Sequence, residues 1–167
     1  MVDLDILLKG VSMLRINWTD EELGALSGAT SLHAIADHAV AHLTRLAAMG
    51  EEVVQLCGPM STGGLGCLER NMERFAAAVL QLHEAGYLVF NQIPLQDRII
   101  EATDHHAGGP YCMDILEILY RRIFESGHVV QAFFLPDWQS STGARWEYDF
   151  VQRCGIGAAD FPLVLAV

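Results

Sequence analysis

The stretch HVVQAFFLPDWQSSTGARWEYDF, residues 128–150, decides the fold. Its first seven residues form a mostly apolar run that is typical of a buried β-strand. A turn-forming segment rich in Pro, Asp, Ser, Thr and Gly follows, and a helix is predicted from about Thr142 to Cys154. Glu147 would lie in the second turn of that helix, where side chains lean back toward the helix N-terminus. The carboxylate would therefore point at the turn.

The same strand–loop–helix pattern is repeated along most of the chain. Strands are predicted at residues 52–58, 87–91, 128–134 and 161–167, and helices at about 68–85, 112–125 and 142–154. Strands without polar alternation are buried on both faces, which predicts an α/β fold with a doubly wound parallel sheet of four or five strands. Right-handed crossovers would bring the loops 58–66, 92–111 and 136–142 to one edge of the sheet, where ligands bind in such folds.

The N-terminal 50 residues have a different pattern. Thr19 is expected to cap a short helix, and residues 31–49 carry one apolar stripe with helical spacing. We therefore predict an N-terminal helical extension over residues 1–50 and an α/β domain over residues 51–167. His38 and His42 are spaced for a metal site but lie off that stripe, so we expect them on a solvated or interface face.

Composition narrows the class of protein. The chain has 167 residues, of which 51% are hydrophobic, and a net charge of −11 with a single lysine, Lys9. A nucleic-acid polymer requires clustered cations, so we expect none as a partner. The four cysteines lack zinc or paired spacing and are expected to be buried free thiols. No signal peptide or membrane span is evident, which predicts a cytoplasmic protein.

Three carboxylates are candidates for chemistry. Glu147 and Asp114 are both expected near helix starts at the loop edge of the sheet, and Asp137 lies in the turn itself. Two converging carboxylates suit glycosyl chemistry, which needs a nucleophile and a second group for protons or hydroxyls. Each also has an ordinary structural explanation: a Glu that complements a helix dipole, an acid at a helix start, and a turn residue.

Two hydroxyl-bearing loops are candidates for ligand binding. The loop that starts with Gly58, Pro59, Met60 and Ser61 precedes a helix, an arrangement that suits a phosphate or a sugar hydroxyl. It is neither a Walker loop nor a GxGxxG sequence. Ser140 and Ser141 precede the next helix, although Ser141 or Thr142 could simply cap it.

Two histidines occur in the longest predicted loop. His105 and His106 lie where the loop 92–111 would cover the crevice, and could contact a base or assist proton transfer.

Three segments resemble a known family. QLCGPMS (55–61), NMERFAAAVLQLHEAGYLVFN (71–91) and FFLPDWQSSTGARWEYD (133–149) are similar to the nucleoside 2-deoxyribosyltransferase-like superfamily. The similarity is closest to a branch of small uncharacterised domains with a GPM loop and an LPGWE-S-GA-E motif. It covers residues 52–167.

This resemblance implies a flavodoxin-like domain that cleaves N-glycosidic bonds. The nucleophile would be Glu147, four residues after Gly143, and Asp114 would orient the sugar. Ser141 would imply a 5′-phosphate on the ligand. Asp137 and Gln139 depart from the glycine and the acid of the LPGWE motif.

The function expected from the sequence is therefore cleavage or transfer at the N-glycosidic bond of a (deoxy)nucleoside or nucleoside 5′-monophosphate. It would proceed through a covalent glycosyl ester on Glu147, without a metal or redox cofactor, in a homodimer or higher homo-oligomer. The alternatives are a non-catalytic nucleotide-binding or sensing domain and, more weakly, a flavin-binding domain.

Overall fold

A computed structural model describes residues 14–104 and 110–162. The strands are β1 (Val53–Cys57), β2 (Leu88–Phe90), β3 (Val129–Phe134) and β4 (Gly157–Asp160). The helices are α1 (Asp20–Leu26), α2 (Leu32–Ala47), α3 (Leu68–Glu84), α4 (Gln96–Thr103), α5 (Arg121–Glu125) and α6 (Thr142–Arg153). A π-helical segment, Ile115–Tyr120, runs directly into α5, and short 3-10 turns span Ile93–Leu95 and Trp138–Ser140.

The four strands form one parallel sheet in the order β2-β1-β3-β4. The prediction of a doubly wound parallel sheet is thereby confirmed. The order reverses between β1 and β3, and in open parallel sheets the crevice at the carboxyl ends of such a pair of strands is where ligands bind.

Helices cover the sheet on both faces. Helix α3 packs on one face, where Phe75, Val79 and Leu82 meet Val54 and Leu56 of β1. Helices α2, α4, α5 and α6 and the π-helical segment share the core on the other face. The side chains alternate along β1, so Cys57 belongs to this second core and its thiol points away from α3.

The fourth strand of the described sheet lies before the predicted range of residues 161–167. Strand β4 is Gly157–Asp160, and its four residues are all exposed. Phe161 and Pro162 lie outside any strand, although the Phe161 N–H donates to the Phe134 carbonyl oxygen at 2.7 Å. Residues 163–167 lie outside the described residues. An exposed edge strand made of small residues lacks the apolar signal that marks a buried one.

The region 92–111 was predicted as a loop, but it contains a 3-10 turn and helix α4. Ile99 is the one buried residue of α4, so the helix shows no apolar stripe of several turns. Eight residues provide few periods for a helical pattern, which explains why composition favoured a loop.

The N-terminal helices begin where their caps predict. Thr19 and Glu22 form a reciprocal capping box on α1, and Ser31 accepts from the Ala34 N–H at the start of α2. The α2 stripe is fully buried against the sheet core. Within the described residues 14–104 and 110–162, no helix is long and apolar enough to span a bilayer.

The prediction of a solvated face was wrong for His42. Its ring is buried and stacks on Trp18 at 3.8 Å between centroids, and Nδ1 lies 3.1 Å from Oε2 of Glu22. Burial lowers the pKa of His42 to about 4, against the opposing effect of Glu22, so the ring is neutral. An aromatic partner from the preceding segment accounts for a histidine in a core position.

The four cysteines are free thiols, but only Cys57 is fully buried. Cys67 and Cys154 are exposed and flank the ends of α3 and α6. The expectation of burial was wrong for these two, because helix termini are usually exposed even when their neighbours are apolar.

Candidate active site

A small cavity opens at the carboxyl edge of β1, where the loops after β1 and β2 meet the start of α6. Its volume is about 50 Å³. Both strand-end loops, α4, the π-helical segment and α6 contribute to its wall, which is lined by Gly58, Met60, Ser61, Leu68, Gln92, Gln96, Ile99, Ile100, Tyr111, Ile115, Tyr120, Ser141, Gly143, Ala144 and Glu147.

Glu147 lies in this wall and is only 7% exposed. Helix α6 starts directly after Ser141, so the carboxylate lies in the second turn and points back to the loop edge. Burial raises the pKa of Glu147 to about 7, and a hydrogen bond from Cys57 opposes this rise. The carboxyl group is therefore poised to change its charge near neutral pH, a property found in catalytic carboxylates.

Neutral hydrogen-bond donors surround this carboxylate. Burial raises the pKa values of Tyr111, Tyr120 and the Cys57 thiol. The negative charge of Glu147 raises them further. All three groups stay protonated at neutral pH. The Tyr120 hydroxyl also forms a hydrogen bond with Gln96, which links the π-helical segment to α4 across the cavity.

Gly143 allows Tyr111 to approach the start of α6. A Cβ atom at this position would lie 3.0 Å from the Tyr111 hydroxyl oxygen, which is closer than an ordinary contact. The glycine of the turn therefore provides space for an aromatic wall of the cavity.

The loop after β1 is held by Asn71 of α3. Its Oδ1 accepts from the Leu65 N–H at 2.8 Å, and its Nδ2 donates to the Met60 and Gly63 carbonyl oxygens at 2.9 and 3.1 Å. Gly63 has a φ of 68°, and a Cβ atom there would lie 2.2 Å from the Ser140 carbonyl oxygen. The backbone path and this close contact both require glycine.

Hydroxyl groups join the loop after β1 to the loop after β3. Ser140 Oγ accepts from the Gly64 N–H at 2.8 Å and donates to the Asp137 carbonyl oxygen at 2.7 Å. Thr62 Oγ1 accepts from the Thr142 N–H at 3.1 Å. Ser141 Oγ accepts from the Ala144 N–H at 3.2 Å. These hydroxyls therefore hold the two loops together and cap α6.

The cavity includes only some of the residues predicted for the site. The cavity is lined by Glu147, Gly58, Met60, Ser61, Ser141 and Gly143, whereas Pro59 and Ser140 are not part of its lining. Asp114 is exposed at the start of the π-helical segment and is not part of the lining. Asp137 forms a two-pronged ion pair with Arg74, with both N–O distances at 2.9 Å. His106, like His105, lies outside the described residues.

Comparison with protein families gives one match. Residues 52–159, about two thirds of the chain, match the family described as a domain of unknown function, DUF4406. The chain belongs to this family. The DUF4406 segment contains β1 to β3, nearly all of β4 and every residue that lines the cavity, while α1 and α2 precede it. No curated protein and no solved structure matches the chain.

Several cavity residues of the DUF4406 segment were not predicted from the sequence. They are Gln92, Gln96, Tyr111, Tyr120 and, behind Glu147, Cys57. Cys57 and Gln92 follow a signal that was available, since each lies at or just after the end of a parallel strand, β1 or β2. Tyr120 had no such signal, because a π-helical register changes which residues face inward, and Tyr111 lies in the irregular segment before the π-helical segment.

The described lining residues carry carboxyl, phenol, amide and hydroxyl groups. Across residues 14–104 and 110–162, no group of three or more His, Cys, Asp or Glu side chains is placed to hold a metal ion.

Proposed function

We propose that this DUF4406 protein has the chemistry of the nucleoside 2-deoxyribosyltransferase-like superfamily. It would cleave or transfer the N-glycosidic bond of a (deoxy)nucleoside or nucleoside 5′-monophosphate. The observation that carries the proposal is the buried Glu147 carboxylate, which faces a cavity at the carboxyl edge of β1 and has a pKa of about 7.

The proposed reaction is a double displacement. A Glu147 oxygen attacks the anomeric carbon as the C–N bond breaks, and the base leaves with the bonding electrons and takes up a proton. Water or a second base then attacks the same carbon and releases the carboxylate. A 2′-deoxy sugar reacts more readily, since no electron-withdrawing 2′-hydroxyl destabilises the positive charge of the transition state.

The protonated neighbours of Glu147 support this role. Tyr111 and Tyr120 present neutral phenols beside the carboxylate, where they can donate to a sugar oxygen. The cavity volume of about 50 Å³ is below that of most ligand pockets, so we assign the sugar to the cavity and the base to its mouth.

The test is base release from a panel of nucleosides and nucleoside monophosphates. Wild-type protein should release base from at least one member, and Glu147→Ala should reduce the rate by at least a hundredfold, the usual effect of removing a nucleophile. The matched control is Glu73→Ala on the exposed side of α3, which should retain full activity. Equal release by wild type and Glu147→Ala would show that Glu147 is not the nucleophile.

One observation favours a second candidate, a non-catalytic nucleotide-binding domain. Among the described lining residues Glu147 is the only carboxylate, because Asp114 is exposed outside the cavity. Nucleotides that raise the melting temperature without any release of base would support this candidate against the enzyme.

We further propose that the protein forms a homodimer or higher homo-oligomer, as the superfamily resemblance implies. Leu65 in the loop after β1 and Met113 before the π-helical segment are exposed apolar side chains beside the cavity loops. Light scattering combined with size exclusion measures the molar mass, and a monomer at micromolar concentration would contradict the proposal.

A further inference from the structure

Gln92 carries an unpaired acceptor in the wall of the cavity. The residue is 2% exposed and lies two positions after the end of β2. Its Nε2 donates to the Leu56 carbonyl oxygen at 2.8 Å. Because a carbonyl oxygen can only accept, this bond fixes which side of the amide is nitrogen. Oε1 is then the other atom, and it is buried without a hydrogen-bond partner among the described residues.

A buried acceptor without a donor is unfavourable, so such atoms in native proteins usually have a reason. The position of Gln92 in the cavity wall supplies such a reason. Gln92 lines the same cavity as Glu147, and its amide is fixed to Leu56, the neighbour of Cys57, which contacts the Glu147 carboxylate. The unpaired acceptor therefore belongs to a side chain of the same cavity wall as Glu147.

The charge of the cavity indicates what kind of group fits. Of the lining residues with described coordinates, none is Arg, Lys or His, and Glu147 is the one ionisable acid. The first N–H groups of α6 are also occupied, since Thr142 donates to Thr62 and Ala144 donates to Ser141. A phosphate dianion would meet a carboxylate, with no cation in this wall and with these two N–H groups already in use.

Building on the proposed function, we propose that the substrate is an uncharged nucleoside and that Gln92 binds its sugar. Gln92 Oε1 accepts a hydrogen bond from one hydroxyl of the sugar, while the base lies at the mouth of the cavity. The cavity offers acceptors and neutral donors, which match hydroxyl groups better than an anion. This narrows the substrate class from nucleosides and their 5′-monophosphates to the nucleosides alone.

The first experiment compares each nucleoside with its own 5′-monophosphate. With wild-type protein at fixed ionic strength, kcat/KM should be at least tenfold greater for the nucleoside. An equal or greater kcat/KM for the monophosphate would overturn the assignment of an uncharged substrate.

The second experiment tests Gln92 with Gln92→Leu and with 2′-, 3′- and 5′-deoxy analogues of one ribonucleoside. For one analogue, the ratio of kcat/KM for the parent to kcat/KM for the analogue should be roughly threefold to tenfold lower in Gln92→Leu than in the wild type, as expected for one neutral hydrogen bond. A general disturbance of the fold would lower kcat/KM for parent and analogue alike and leave their ratio unchanged. An unchanged ratio for all three analogues would overturn the role of Gln92.

Gln55→Leu is the matched control. Gln55 is also a fully buried glutamine with unpaired amide atoms, but it lies on β1 outside the cavity lining. It should leave every analogue ratio at the wild-type value. A change in those ratios equal to that of Gln92→Leu would show an indirect effect of core packing and contradict the proposal.

The outcomes separate this inference from the proposed function. If wild type releases base, Glu147→Ala does not and Gln92→Leu keeps the wild-type ratios, only the inference fails. If wild type releases no base, calorimetric binding of the same compounds replaces kcat/KM, and Gln92→Leu should weaken binding of the parent threefold to tenfold without affecting one analogue. If no nucleoside is bound or cleaved, both are overturned.

Discussion

The Cys57 thiol, at the end of β1, donates a hydrogen bond to the Glu147 carboxylate in the second turn of α6. The bond joins helix α6 to the carboxyl end of β1, an inner strand of the sheet. Burial raises the pKa of Glu147, and the thiol bond limits that rise because it stabilises the charged form. The two residues therefore determine together at which pH the carboxyl group loses its proton.

Removal of the thiol should shift the pH dependence of the proposed reaction. Glu147 attacks only when ionised, so kcat/KM should rise with pH through about 7. Cys57→Ala removes a bond to the ionised form, and the rise should move to higher pH. Cys57→Ser retains a donor and should stay near the wild-type profile. Cys154→Ala, at an exposed cysteine, is the control, and a Cys57→Ala profile that coincides with it would contradict the role of the thiol.

Glu147 should also make stability depend on pH. Its folded-state pKa of about 7 lies above the ordinary value of 4.5, so the folded protein binds more protons than the unfolded chain between these values. The contribution to stability is full below pH 4.5 and is lost as pH rises through 7. Glu147→Gln removes this loss and should stabilise the protein at pH 8 relative to pH 5 by on the order of 3 kcal/mol.

Urea unfolding at pH 5 and pH 8 measures this difference. Glu73→Gln, at an exposed position of α3, is the control for loss of a negative charge from a chain of net charge −11. A stability gain from Glu147→Gln that is the same at both pH values would indicate that the carboxyl group is not buried as described.

Much of the fold could be predicted because burial leaves a signal in the sequence. Strands β1 and β3 are largely buried, and helices α2, α3 and α6 each bury one apolar face, so composition and periodicity identify them. Strand β4 could not be found in this way. It is held by backbone pairing with β3, and backbone groups are the same in every sequence.

The site was predictable only at the ends of strands and the starts of helices. Glu147 follows from its spacing to the turn, because helical geometry determines its direction. Asp114 has the same kind of position, and the next residue, Ile115, lines the cavity, but the Asp114 side chain is exposed and is not part of the lining. The position of Gln92 just after β2 is visible in the sequence, but its unpaired acceptor results from a bond to Leu56 that no local pattern encodes.

We expect Asp137 to stabilise the turn after β3 through its ion pair with Arg74, and not to act as a proton donor in the reaction. The pair holds the turn after β3 against α3, and the side chains are about one third exposed, 28% for Arg74 and 36% for Asp137. Asp137→Ala and Arg74→Ala should each lower the free energy of unfolding by about 1 kcal/mol, and the double variant should lose little more. Base release should fall in parallel in all three. A large loss of activity in Asp137→Ala with normal activity in Arg74→Ala would instead identify Asp137 as a proton donor.

A matched pair of Gly→Ala substitutions should separate the effect of a changed cavity wall on activity from the effect of helix propensity on stability. At Gly143 the new methyl group would lie 3.0 Å from the Tyr111 hydroxyl oxygen, so Tyr111 must give way by a few tenths of an ångström. We expect Gly143→Ala to lower kcat/KM roughly tenfold, since small displacements at a reacting centre have large effects on rate. At Gly24, within α1, nothing lies within 4 Å, so Gly24→Ala should raise stability by about 0.5–1 kcal/mol and leave activity unchanged. Thermal unfolding and base release measure both variants, and full activity in Gly143→Ala would mean that Tyr111 has no part in the reaction.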